Sequence, residues 1–244
     1  MSDQLLKISP YGERAILITW PDTVSESILK EIILLKNALK QEEEFLNAEM
    51  IGSYNSLCLV FSDTLDFENM RQRILEMHVA LDFNQPFERK LWSLPVCYDA
   101  RFGVDLEAVA KSLRLSVDQV IYKHAHAKYT VYGLGFLPGF LYLGGLSRNL
   151  WLPRREQPRL KVVEGSVAIA DRQTGIYPQD SPGGWHILGN CPIPLFNVRK
   201  RDPMPIKPGD QVTFEAVDLE LYRSIYKRYR KGYYKLKSEL VCWK

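Results

Sequence analysis

The chain has 244 residues, 46% of them hydrophobic and 25% charged, and a formal net charge of +3. That composition is ordinary for a soluble protein, and the length suffices for a real core and two small domains. It excludes a membrane span, since no stretch of about 20 apolar residues occurs.

The first twenty residues lack the basic region and apolar run of a secretory signal. The four cysteines, Cys58, Cys97, Cys191 and Cys242, form neither a CxxC pair nor a disulfide-dense pattern. A reduced, cytoplasmic protein is the expectation. Charge is unevenly placed: from Tyr222 to Lys244 eight basic residues stand against one acid, Glu239, a net +7 that leaves −4 on the rest.

In chain order, RAILITW (14–20) reads as a strand. SESILKEIILLKNALK (25–40) reads as a helix, with Ile28, Ile32, Leu35 and Leu39 on one face and Ser25 as its N-cap. Strands are expected near 46–51 and at 56–62, with Tyr54 or Asn55 in the turn between them. A second amphipathic helix is expected near 67–80, with Phe67, Met70, Ile74 and Met77 on one side, and LWSLPVC (91–97) reads as a strand. The order β-α-β-β-α-β matches a ferredoxin-like plan. An α+β domain over 1–88 is expected, joined through NQPFER (84–89) to a second domain over 89–244.

Residues 105–126 read as two short helices, with Asp105 and Ser116 as caps. From Tyr129 short apolar runs alternate with Gly/Pro clusters, the pattern of an all-β sandwich or barrel. The tail YRSIYKRYRKGYYKLKSELVCWK interleaves tyrosine with Lys and Arg. That mixture occurs in nucleic-acid contacts, but no RNA or DNA module accompanies it, and tyrosines packed on the barrel explain it as well.

The densest chemistry lies between His124 and Cys191. TGIYPQDSPGGWHILG (174–189) sets polar and aromatic side chains among glycines and prolines that shape the backbone. GLGFLPGFLYLGG (133–145) fails as a GxGxxG phosphate loop because Pro138 and Gly139 follow Gly133 and Gly135, and no GxxxxGK[ST] occurs. His124 and His126 form an HxH pair at an expected helix end, where i and i+2 do not face each other. No third or fourth zinc ligand accompanies them, so no metal site is expected. No GxSxG elbow is present; Ser166 and Ser181 sit beside glycines and suit turns. The Pro-Arg steps at Arg154 and Arg159 suit carboxylate or phosphate, or a solvated loop. Tyr142, Tyr177 and Trp185 suit flat walls for a small polar ligand, or barrel packing.

GFLPGFLYLGGL, PRREQPRLKVVEGSVAIADRQTGIYPQDSPGGW and PLFN, with LPVCYDARFGVDLEAVA, YGERAILI and SYNSLCLVF upstream, resemble the 5-oxoprolinase B-subunit family. That family also holds KipI-type kinase inhibitors and allophanate hydrolase subunit 1. The resemblance spans roughly 8–217. It implies a cyclophilin-like β-barrel after the α+β domain, and a complex with C-subunit-like and A-subunit-like partners. The implied reaction opens 5-oxoproline to glutamate at the expense of ATP, with ATP shared between the partners. The alternatives it carries are a KipI-like inhibitor of a sensor histidine kinase and a biotin-dependent carboxyltransferase component. Carried position by position, it points to Tyr142, Ser166, Gln173, Tyr177, Ser181, Gly183, Gly184 and Trp185 for substrate. Arg154 and Arg159 are expected to stabilise developing negative charge, and His124 or His186 to move protons. The chain departs from the family pattern at His186, where Arg is common, at Asn190-Cys191, at Val163-Glu164, and in its longer, more basic tail.

Overall fold

The computed structural model describes residues 6–243. They form two compact units that divide between Phe87 and Glu88.

The first unit contains strands β1 (Lys7–Pro10), β2 (Ala15–Thr19), β3 (Glu49–Ser53) and β4 (Ser56–Val60), and helices α1 (Glu26–Leu39) and α2 (Phe67–Ala80). The sheet is antiparallel in the order β1-β2-β4-β3. Ile16 and Ile18 alternate along β2, and Leu57 and Leu59 along β4, so each pair faces one side. Ile28, Ile32, Leu35 and Leu39 of α1 and Ile74 of α2 complete that core. Ser25 Oγ accepts from Ile28 N at 3.2 Å and Asp66 Oδ1 from Asn69 N at 3.3 Å, so both helices start on a side-chain cap. Tyr54, at φ 51°, and Asn55 make the two-residue turn between β3 and β4.

One strand differs from the expected order. The run 91–97 belongs to the second unit, and the place beside β2 is taken by β1. KISP gives no strand signal because it has four residues and ends in proline. An edge strand tolerates that missing donor.

The second unit contains β5 (Phe87–Cys97), α3 (Leu106–Leu113), α4 (Val117–Ala125), β6 (Tyr129–Leu134), β7 (Leu141–Gly144), β8 (Arg159–Val162), β9 (Ser166–Ala170), β10 (Gln173–Ile176), β11 (Ser181–Gly183), β12 (His186–Asn190), β13 (Gln211–Val217), α5 (Leu219–Arg230) and β14 (Lys237–Trp243). The order β12-β9-β10-β7-β6-β13-β5 closes into a ring where β12 pairs with β5 through Asn190 and Cys97. The result is a seven-stranded mixed barrel, parallel only at β13–β5 among the described pairs, with β14 added beyond β5. Val167 and Ile169 of β9 enter the barrel core with Leu94, Val131, Leu143, Leu188 and Phe214. Ala168 and Ala170, on the opposite face of β9, pack in a separate apolar cluster with Val162 of β8. The β8–β11 pair therefore forms a flap over the outside of the barrel. Burial on both faces explains the unbroken apolar run VAIA (167–170).

The basic tail divides between helix α5 and strand β14. Asp218 caps α5 by accepting from Leu221 N at 2.8 Å. Tyr222, Ile225 and Tyr229 lie on its inner face; the Tyr222 hydroxyl donates to Asn190 Oδ1 at 2.8 Å and Tyr229 to Pro194 O at 3.1 Å. Tyr222 and Tyr229 pack on the barrel, while Tyr226 is exposed.

Candidate functional site

The site is built around one buried ring. The β6–β7 loop turns through Phe136 at φ 60° and Gly139 at φ 88°. A Cβ on Gly139 would lie 2.4 Å from Phe196 Cβ, so only glycine fits there. The loop delivers Phe140 into the cluster beneath the flap. Its ring lies 4.8 Å from Tyr142, 5.3 Å from Tyr177 and 5.5 Å from Trp185, the last two at nearly right angles. Edge-to-face geometry of this kind is favoured by the ring quadrupoles. Two glycines make room for it. A Cβ on Gly175 would lie 3.0 Å from Trp185 Cζ3, and one on Gly183 would lie 2.4 Å from the Tyr177 hydroxyl.

Above this cluster is a groove of about 310 Å³ lined by Phe136, Tyr142, Tyr177 and Trp185, by the Gly183-Gly184 backbone, and by Arg154 and Arg155. Among the described residues no carboxylate lines it. The Arg154 side chain is 63% exposed and meets Asp171 only at 3.5 Å. Burial raises the Tyr177 phenol above its ordinary pKa, and the charge of Arg154 pulls the other way. Phe136, a large apolar residue in the left-handed region, is 63% exposed at the mouth. The arrangement offers flat aromatic walls and cations to a small ligand.

Behind the groove, Asp105 is 4% exposed. It stands at the N-cap of α3 but makes no side-chain capping bond. Its carboxylate accepts from Arg159 Nη1 at 2.9 Å and Nη2 at 2.6 Å, from Arg155 Nη1 at 3.1 Å, and from Ile187 N at 2.8 Å. The Asp105 backbone N–H donates to Ile187 O at 3.1 Å. One carboxylate thus ties the start of the flap to β12.

The structure brings together Tyr142, Arg154, Tyr177, Gly183, Gly184 and Trp185 of the expected residues. Ser181 lies on the same flap, its hydroxyl donating to Pro182 O at 3.2 Å. Arg159 and Ser166 instead line a second, larger cavity of about 810 Å³ walled partly by α5. Gln173 begins β10 opposite Gly144. His186 sits outside the groove lining, with Nε2 2.9 Å from Pro153 O, so that nitrogen carries a proton. Asn190, at the departure from the family pattern, spends its amide on Glu164 O and the Tyr222 hydroxyl.

His124 is apart from all of these. It is fully buried at the end of α4 and stacks 4.7 Å from Phe214. Thr174 donates its hydroxyl proton to Ala168 O at 3.0 Å. Its oxygen therefore accepts from His124 Nε2 at 2.8 Å, and Nδ1 accepts from the Tyr98 hydroxyl at 2.7 Å. A neutral ring satisfies the whole chain of bonds, and burial lowers its pKa to about 3. Such a ring braces the barrel and has no route to a ligand in the groove. His126 stacks on Tyr122 at 4.1 Å, away from His124's partners. Among the described residues no group of three or more His, Cys, Asp or Glu is placed to hold a metal ion.

Three residues of the site do not stand out in the sequence. Arg155 sits between two Pro-Arg steps whose own arginines are more conspicuous. Asp105 carries a cap signal, and its real partners lie at least 50 positions away. Phe136 is visible in GFLPG, but nothing local shows its left-handed backbone or its exposure.

This barrel and groove define a class. Residues 6–206 match the carboxyltransferase domain, subdomain C and D. A 5-oxoprolinase B-subunit from Bacillus subtilis is 34% identical over 231 residues, 89% of this chain and 95% of that protein. The one from Haemophilus influenzae is 34% identical over 88% of this chain and all of its own length. The chain belongs to the 5-oxoprolinase B-subunit family. The crystal structure of TTHA0988 is 33% identical with a TM-score of 0.73, covering 84% of this chain and 40% of that one. The Kluyveromyces lactis urea amidolyase shares the fold at 19% identity and a TM-score of 0.80, over 98% of this chain and 16% of that one.

Proposed function

We propose that this chain is the B-subunit of an ATP-dependent 5-oxoprolinase that converts 5-oxoproline to glutamate with A-subunit-like and C-subunit-like partners. The observation that carries the reading is the match to the B. subtilis B-subunit over 95% of that protein's length. The groove supports it. A five-membered lactam bearing a carboxylate is small, flat and anionic, and suits aromatic walls edged by Arg154.

This chain does not supply the whole reaction. His124 is sealed in the core, and Arg159 is committed to Asp105. Groups that open the ring then come from partners. The counterpart of this chain in TTHA0988 occupies only 40% of a longer polypeptide, which fits a module that works joined to more protein. ATP, when bound by the assembled complex, supplies the phosphoryl group that activates the stable lactam carbonyl. Arg154 stabilises the negative charge that develops there, and Tyr142 and Trp185 hold the ring. The chain is placed in the cytoplasm on this reading; no described helix is long and apolar enough to cross a membrane.

The test is co-elution of this chain with a C-subunit-like protein, followed by ATP hydrolysis assayed with and without 5-oxoproline. A stable complex whose ATP consumption requires 5-oxoproline supports the proposal. A chain that elutes alone and instead blocks a histidine kinase supports the KipI-like alternative and refutes it.

A further inference from the structure

We infer that Arg155 is an oxyanion ligand of the groove and that Asp105 is the residue that positions it; the inference rests on the groove being the substrate site. Two guanidinium groups converge on the single carboxylate of Asp105. Their pairing is unequal. Arg159 meets both carboxylate oxygens through two nitrogens, the bidentate fork that matches carboxylate geometry. Arg155 is held by one bond, Nη1 to Oδ1. The cluster therefore keeps one positive charge in excess, and it belongs to the arginine that is bound less completely.

That arginine is the one lining the groove. Its backbone is fixed as well, since Arg155 N donates to Gly184 O at 2.8 Å. Arg155 Nε is buried without a hydrogen-bond partner among the described residues. An incompletely paired, partly desolvated guanidinium is costly in an isolated protein and useful in a site that receives an anion. The neighbouring Arg154 is exposed and only loosely paired, and the groove lining holds no acid among the described residues. The pair presents one fixed and one exposed cation beside flat aromatic walls. The ligand chemistry is a small oxyanion, a carboxylate or a phosphoryl group, attached to or stacked with a planar body.

Toward a ligand in the groove Asp105 acts through Arg155, while its bonds to Arg159 and Ile187 N hold the flap on β12. It accepts from Ile187 N and bonds Ile187 O through its own N–H, so its position is set by β12. It then sets where the guanidinium stands.

The full chain is titrated calorimetrically with 5-oxoproline, with uncharged 2-pyrrolidinone and with inorganic phosphate at fixed ionic strength. The cation pair is complete in this chain, so binding is expected without partners. At least one oxyanion binds, and 5-oxoproline against phosphate shows whether carboxylate or phosphoryl is preferred; 2-pyrrolidinone binds at least about tenfold more weakly than the preferred oxyanion. Arg155→Gln, which leaves the Arg159–Asp105 pair intact, weakens that binding about ten- to a hundredfold, the scale of one charged hydrogen bond. Asp105→Asn lowers affinity in the same direction while circular dichroism shows the chain folded, and in the assembled complex it raises KM more than it lowers kcat. Unchanged affinity in Arg155→Gln, 2-pyrrolidinone binding as tightly as the oxyanions, or no oxyanion binding at all overturns the inference. Should the chain bind the oxyanion while the complex releases no glutamate, the oxoprolinase reading fails and the site stands. Should Arg155→Gln support full glutamate release, the site fails and the oxoprolinase reading stands.

Discussion

The Tyr98 hydroxyl donates to His124 Nδ1 at 2.7 Å in a fully buried site. Protonating the ring would bury an imidazolium charge away from water in the sealed core. The ring therefore stays neutral when folded, down to a pKa of about 3, whereas an unfolded histidine titrates near 6.5. The unfolded chain thus binds the proton first. This site's contribution to stability is complete above about pH 6.5 and is lost as pH falls toward 3, by several kcal/mol in all. Urea midpoints measured at pH 7, 5.5 and 4 should fall in that order, and His124→Gln should flatten the part of the slope this residue causes.

Gly183→Ala places a methyl carbon 2.4 Å from the Tyr177 hydroxyl and 2.8 Å from its ring carbons. That ring is buried and cannot swing away. The expected cost is about 1–3 kcal/mol of stability, with groove binding weakened too. Tyr177→Phe should rescue it only partly, because the ring carbons remain. Thermal melts of the two single variants and the double variant check this.

Phe136→Asn replaces an exposed aromatic with a residue that accepts the left-handed backbone readily. Stability should change by less than about 1 kcal/mol. If Phe136 covers the ligand, KM for 5-oxoproline in the assembled complex should rise severalfold. An unchanged KM would make the ring a surface feature unconnected with the groove.

Tyr222→Phe removes the donor to Asn190 Oδ1 and so loosens α5 from β12. The expected loss is about 1–2 kcal/mol, read from denaturant midpoints at constant m-value.

Much of the fold is legible in the sequence because local pattern and tertiary role agree. The face Ile28, Ile32, Leu35, Leu39 and the Ser25 cap mark α1 from sequence alone, and both appear in the core and the cap geometry. The Gly/Pro-punctuated runs after Tyr129 mark a β architecture. What stays hidden depends on long-range partners. LWSLPVC reads as a strand for either unit, and its pairings with Gln211–Val217 and, through Cys97, with Asn190 settle which. Asp105 looks like a cap until Arg155 and Arg159 arrive from 50 and 54 positions away. His124 looks like a proton carrier until Phe214, Tyr98 and Thr174 enclose it. TGIYPQDSPGGWHILG reads like a single ligand loop. Its residues divide between barrel strands, the flap and the groove wall, with Thr174 bonded to His124 in the core.

As the proposed B-subunit, this chain is a necessary component of an ATP-dependent 5-oxoprolinase. Purified A-subunit-like and C-subunit-like proteins are supplied with ATP and 5-oxoproline, and glutamate release is measured with and without this chain. Release that requires both ATP and this chain, and that falls sharply with Trp185→Ala, is the predicted result. Glutamate formed at the same rate when this chain is left out would contradict that role.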